Sequence, residues 1–369
     1  MLLKRHDRSP VAEFGSWAFL LGRKDMMAEL KNSDAQTIEM EELKDKTRGC
    51  LLGVAIGDAL GNPFEHLGPG PQKGMLEETG GWITDFHHGQ DFPPGAWTDD
   101  TGMTLATCRA LIQVLKTYRT MDECVRSAYE EWVGSDESRK SGKTVTGAVK
   151  YGVPWMDSWA NGALMRISPV AVYAHLMDMS KHDTATLAYR IARTTHGHPL
   201  AVFPAVECAL ALRSILRGDE TVPDDLSDPG KYCHYLEPEK NARYGLYQEK
   251  RGVPMDELAP STGLWMWRYV FERSLGLSEG SAWDGMPEFE PGLLAAINGG
   301  VDKDTTGAVA GAVLGTYWGE SQIPERWKNT VEKHDRIRDL AEKFIQVLVQ
   351  GSTDINKHQW EEFTHGISK

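Results

Sequence analysis

The chain has 369 residues, of which 41% are hydrophobic and 25% charged, enough to bury a large core as one big domain or two modest ones. A formal net charge of −13 repels a phosphate backbone and argues against nucleic acid as a partner. The sequence has no charged-then-apolar leader and no run of about 18 apolar residues, and its five scattered cysteines form no C-x-x-C pair; the expectation is a reducing, cytoplasmic setting away from any membrane.

The first forty residues stand apart. Lys4, Arg5, His6 and Arg8 make a basic start, followed by Phe14, Trp17, Phe19, Leu20 and Leu21. They form either a terminus frayed or packed on the body, or an arm that contacts a partner through aromatic and arginine anchors. Residues 1–40 are therefore taken as an extension and 41–369 as the main domain.

From there helical text dominates, with apolar residues at three- and four-residue spacing in Met103–Lys116, Val202–Arg217 and Asp335–Val349. Gly49, Gly53, Gly57 and Gly61 recur every four residues, as do Gly307, Gly311, Gly315 and Gly319. Each set makes a stripe without side chains along a helix, at a propensity cost of roughly 1 kcal/mol per glycine. Two smooth helices packed closely at the centre of a bundle would justify that cost. Pro63 is expected to end the first of them, leaving Glu65 in the following loop.

Two clusters carry the chemistry. Thr98-Asp99-Asp100-Thr101 is expected immediately before the helix at Met103, and Asp302-Lys303-Asp304-Thr305-Thr306 immediately before the one at Gly307. One Asp or Thr at each place would serve as an N-cap. Two neighbouring carboxylates in each cluster repel one another unless a cation holds them. The oxygen-only donor set suits Mg²⁺, Mn²⁺ or Ca²⁺ rather than Zn²⁺, and a pair of ions bridged by aspartates would use so many oxygens. Glu65 is either a solvated loop residue or, if its loop reaches the clusters, a general acid or base. The small-residue stretch Ser158-Trp159-Ala160-Asn161-Gly162 could approach a ligand closely. His196 and His198 read more simply as packing residues, and Ser141-Gly142-Lys143-Thr144 lacks the earlier glycine of a phosphate loop.

Five segments in order, GCLLGVAIGDALGNPFE (49–65), WTDDT (97–101), NGALMRISPV (161–170), THGHPLA (195–201) and DKDTTGAVAGAVLG (302–315), make the chain resemble the ADP-ribosylglycohydrolase family over about residues 47–320. The resemblance implies an all-α fold, a compact orthogonal helical bundle with a metal-bearing central cleft. It implies two divalent cations, Mg²⁺ before Mn²⁺, held by Thr98, Asp99, Asp100, Asp302, Asp304 and Thr305. Glu65 and Asp304 become the catalytic carboxyls, and Ser158, Trp159, Asn161, Gly162 and His196 line bound ADP-ribose. The implied activity removes ADP-ribose from a protein side chain, arginine being favoured, in opposition to an ADP-ribosyltransferase, as a regulator or as the antidote (immunity protein) to a toxin. Val301 and Lys303 depart from the family pattern, and residues 219–290 align with nothing.

Two other functions remain open at this level. The arm 1–40 could block a partner transferase, with or without hydrolysis. Asp302-x-Asp304-x-Thr306 also fits the nucleophile motif of haloacid-dehalogenase-like phosphatases, but that motif should close a strand early in a parallel α/β domain.

Overall fold

The structure is a computed structural model that describes residues 34–354 apart from 66, 73, 90 and 233–237. The basic and aromatic start of the chain and Cys233 lie outside the described residues. The described residues from Lys44 onward form one compact unit.

In chain order the helices are α1 (Asp34–Gly61), α2 (Asp99–Lys116), α3 (Met121–Val133), α4 (Lys143–Tyr151), α5 (Ser168–Leu176), α6 (Lys181–Arg193) and α7 (Pro199–Arg217). They continue with α8 (Pro238–Arg251), α9 (Gly263–Arg268), α10 (Phe289–Gly299), α11 (Lys303–Trp318), α12 (Glu325–Lys328) and α13 (His334–Asp354). Among the described residues β-structure is confined to isolated bridges such as Trp155 with His196, so the fold is all-α. A haloacid-dehalogenase-like phosphatase would need a parallel sheet ahead of Asp302. Here that residue follows α10 and caps α11.

The glycine stripes pack as their spacing predicts. A methyl group added at Gly49, Gly53, Gly57 or Gly61 would run into the backbone at Gly315, Gly311, Gly307 or Lys303 respectively. The pairing is antiparallel and leaves no room for side chains between the two helices. Cys50, Val54, Ala308 and Ala312 close the seam beside it, all buried. Its consequence is positional: the end of α1, just before Glu65, lies beside the start of α11, where Asp302 and Asp304 sit. Gly319 departs from the stripe, standing beyond α11 with φ of 77° in the left-handed region that favours glycine.

Helix starts differ from the sequence expectation. α2 begins at Asp99 instead of Met103, and α11 at Lys303 instead of Gly307, so Asp99, Asp100 and Asp304 lie in first helical turns, with Thr98 and Asp302 at the N-cap positions. α7 likewise begins early, at Pro199, with His198 as its cap accepting from Leu200 N at 3.2 Å. Carboxylates are favoured in a first turn by the exposed N–H groups and the helix dipole, an effect the apolar spacing does not register.

α7, at 19 residues, is long and apolar enough to cross a membrane by length and composition, although no uninterrupted apolar run marks it in the sequence. It is buried from Pro199 to Leu216 and carries Glu207 and Arg213. The four described cysteines, Cys50, Cys108, Cys124 and Cys208, are buried and unpaired.

Candidate active site

The site grows from the helix ends that the glycine seam brings together. Asp58, in the last turns of α1, is fully buried and accepts four kinds of donor from the start of α2. Thr98 N reaches both of its oxygens at 3.0 and 2.9 Å, and Thr98 Oγ1 donates at 2.9 Å. Thr101 donates from N at 3.0 Å and from Oγ1 at 2.6 Å. An aspartate of one helix thus caps another, fixing α2 at the angle that turns Asp99 and Asp100 toward α11. The Thr98 hydroxyl spends its proton on Asp58 and keeps lone pairs for other contacts.

On the facing side Asp302 is the N-cap residue of α11 and Asp304 lies in its first turn, 3% exposed. Asn161 Nδ2 donates to Asp302 Oδ2 at 2.8 Å, tying the 158–162 loop to the cluster. Thr305 N donates to Asp304 Oδ1 at 3.0 Å, and the Thr305 side chain faces the Asp100 carboxylate across the gap between α2 and α11, where it favours the charged form. Carboxylate oxygens of Glu65, Asp302 and Asp304 all lie within 4.8 Å of one another. The two clusters therefore converge, with Glu65 against the second.

Crowded, buried negative charge has the expected electrostatic result. Asp100, 1% exposed, is pushed well above the ordinary carboxylate range by burial first and then by Asp58, Asp99 and Asp302. Asp304 is raised likewise, by burial and then by Asp302, Asp100 and Glu65. Asp99 is pushed up to about 8, again by burial and then by Asp58, with a smaller push from Glu65. Asp100 Oδ1 is buried and has no hydrogen-bond partner. An orphaned carboxylate oxygen facing other carboxylates is costly unless something positive fills the space. With oxygen the only donor type on offer, the residues fit a hard divalent cation.

A cation missed in the sequence already touches this charge. Lys140 Nζ lies 2.6 Å from Glu65 Oε2 and 3.2 Å from the Asn62 carbonyl. Burial alone would lower the ammonium pKa, but Glu65, Asp304 and Asp58 outweigh it and raise it. Its backbone has φ of 50°, a conformation that costs a residue with a Cβ about 1 kcal/mol and that the surroundings must enforce. Lys303, by contrast, turns away from the site. Its buried Nζ donates to the Ile297, Asn298 and Gly300 carbonyls at 3.1, 3.3 and 2.9 Å, capping the end of α10.

The loop residues surround the same spot. Ser158 Oγ and Thr144 Oγ1 lie 2.7 Å apart, joining the loop to α4. Trp159 is 50% exposed, its ring edge-on to His198 at 5.7 Å. Gly162 lies on His196: a Cβ there would stand 3.1 Å from Cε1 and 3.3 Å from Nε2 of that imidazole. Asn161 thus ties this loop to the acidic cluster through Asp302, and Gly162 ties it to His196. Asp58 and Lys140 join the cluster. A charge within the apolar run 50–60 was the signal for Asp58, whereas nothing in the sequence marks Lys140.

The ADP-ribosylglycohydrolase family model matches residues 39–353. The chain is similar to the ADP-ribosylarginine hydrolase Tri1 of Serratia proteamaculans, 26% identical over 85% of this chain and 82% of that protein. It is 25% identical to the ADP-ribosylhydrolase ARH3 of Bos taurus over 82% of this chain and 92% of that one. A solved structure described as an ADP-ribosylglycohydrolase-related protein complex superposes with a TM-score of 0.61 at 27% identity, covering 84% of this chain and 99% of the other.

Proposed function

Because the chain belongs to the ADP-ribosylglycohydrolase family, we propose that it hydrolyses the N-glycosidic bond of ADP-ribosylarginine on a modified protein, using two divalent cations, Mg²⁺ foremost. The observation that carries this is the meeting of Asp99 and Asp100 from α2 with Asp302 and Asp304 from α11 beside Glu65. Arginine is preferred as the acceptor because of the likeness to Tri1, whose name specifies it. An ADP-ribosyltransferase would supply the substrate, and the two activities would oppose each other in a reducing cytoplasm.

In this reaction the bond between the anomeric carbon of the distal ribose and the guanidine nitrogen breaks. Water gives its hydroxyl to that carbon and its proton to the nitrogen. Positive charge builds on the ribose as the bond breaks, and the surrounding carboxylates stabilise it. Thr98, Asp99, Asp100, Asp302, Asp304 and Thr305 would hold the cations, which when bound anchor the ribose hydroxyls and acidify water. Glu65 stands at the edge of the cluster, one-fifth exposed, and Asp304 beneath it; one carries the proton between water and the leaving nitrogen. Asn161 orients Asp302, while Ser158, Trp159, Gly162 and His196 bind the rest of ADP-ribose.

The test is incubation with a protein mono-ADP-ribosylated on arginine, with Mg²⁺. Free ADP-ribose should appear, and EDTA, Asp99→Ala or Asp302→Ala should each abolish its release. Release that continues in chelator would refute the metal mechanism, and release from serine-linked but not arginine-linked substrate would refute the acceptor.

A further inference from the structure

Arg166, in the turn before α5, is fully buried, and among the described residues no carboxylate pairs with it. Its Nη2 donates to Thr195 Oγ1 at 2.6 Å and to the Ile191 carbonyl at 3.4 Å, and its guanidinium lies 4.7 Å over the Tyr129 ring. Thr195 Oγ1 lies 2.8 Å from His196 Nδ1. A buried cation without a counter-ion is expensive and wants a reason.

We propose that Arg166 and Thr195 are positioning residues that lock His196 in the tautomer with its proton on Nε2, so that an N–H faces the Asn161–Gly162 turn. This rests on the placing of that turn in the ADP-ribose site.

The direction of the chain of hydrogen bonds follows from counting donors. The guanidinium can only donate, so Thr195 Oγ1 accepts from it. The Thr195 hydroxyl proton then has one acceptor in reach, His196 Nδ1. Were Nδ1 protonated instead, both neighbours would donate into Oγ1 and the buried hydroxyl proton would be left without a partner. A neutral imidazole accepting at Nδ1 carries its proton on Nε2. Burial first, and then the Arg166 charge, hold the imidazole well below its ordinary pKa, so the neutral form persists.

Geometry delivers that proton to the site. Nε2 lies against Gly162, where a side chain would meet it. Trp155 N donates to the Thr195 carbonyl at 2.8 Å, and Gly197 N to the Trp155 carbonyl at 2.8 Å, so two backbone hydrogen bonds tie the segment around His196 to the loop leading to Asn161. An N–H at this place donates only to an electron-rich ligand atom, such as a ribose or phosphate oxygen, and refuses another donor.

The test compares the full-length protein with Thr195→Val and Thr195→Ser. Long-range ¹⁵N–¹H correlation of the imidazoles, with His196→Gln to assign the signal, should show the Nε2–H pattern in the unmodified protein, unchanged between about pH 6 and 8. Thr195→Val should lose that single pattern and bind ADP-ribose about tenfold more weakly by calorimetry, while Thr195→Ser stays within about twofold. The Nδ1–H pattern in the unmodified protein would overturn the proposal whether or not the variants fold. So would an unaltered spectrum in Thr195→Val. Absence of both ADP-ribose binding and hydrolysis in a protein with the Nε2–H signal would count against the enzymatic function instead, leaving the hydrogen-bond chain standing.

Discussion

Glu207 shows how one buried side chain sets the response to pH. It is fully buried in α7, accepts from Trp267 Nε1 at 2.8 Å and lies 3.5 Å from Arg251 Nε. Burial pushes its pKa up to about 7, with Arg251 and the indole opposing. Between the ordinary carboxylate value near 4.5 and about 7, the folded chain keeps a proton that the unfolded chain has lost. Stability therefore falls as pH rises through that window and is level, for this group, on either side. The upper bound is about 3 kcal/mol, from about 1.4 kcal/mol per unit. Glu207→Gln should flatten this slope, so that denaturant melts at pH 5 and pH 8 differ less in the variant than in the parent. Equal slopes would show that Glu207 ionises in the fold as easily as outside it. Lys140 makes a second case, because its ammonium shares the carboxylates with any incoming cation. Lys140→Met should tighten Mn²⁺ binding on the order of tenfold, read from the free-ion resonance, since a unit charge a few ångströms away repels a divalent ion substantially. Unchanged affinity would make the ammonium a bystander.

At the level of helices the glycines give a paired prediction. Gly311→Ala places a methyl group against the Gly53 backbone, which cannot yield without parting α1 from α11. A loss of at least 3 kcal/mol in unfolding free energy is expected, at the upper end of overpacking costs. Gly245→Ala, in the middle of α8 with nothing near its added methyl, should instead gain about 0.5–1 kcal/mol from helix propensity. Chemical denaturation of both variants checks the pair, and a neutral Gly311→Ala would show that the seam can open cheaply. This seam was legible in the sequence because a four-residue glycine repeat has few uses on a helix. The clusters stood out in the sequence as candidate cation sites because adjacent carboxylates need a counter-charge. Their helical placement was not, since apolar periodicity starts one turn after the helix does. The capping role of Asp58 and the contact of Lys140 with Glu65 join residues 40 and 75 positions apart, and no local pattern reports such a meeting.

For the molecule as a whole, the proposed cation site sets a stability cost against cation binding, and that gives a test. Asp100 holds a buried, unpartnered oxygen among like charges from Asp58, Asp99 and Asp302, and in chelator nothing offsets the cost. Asp100→Asn removes an ionisable group from that crowd with little change in volume, leaving nothing there that must either hold a proton or bear a buried charge. In EDTA the variant should melt a few degrees higher than the parent, by roughly 1–3 kcal/mol, as expected of a strained site relieved of its function. Saturating Mg²⁺ should reverse the order. The parent gains about 2.7 kcal/mol at a hundred times its dissociation constant, because the ion binds only the folded chain, while the variant gains little. The two melting temperatures should thus cross as Mg²⁺ is added. A parent whose melting ignores divalent ions, or a variant that is the weaker of the two in chelator, would mean that the carboxylates settle their repulsion by holding protons and have no need of a metal.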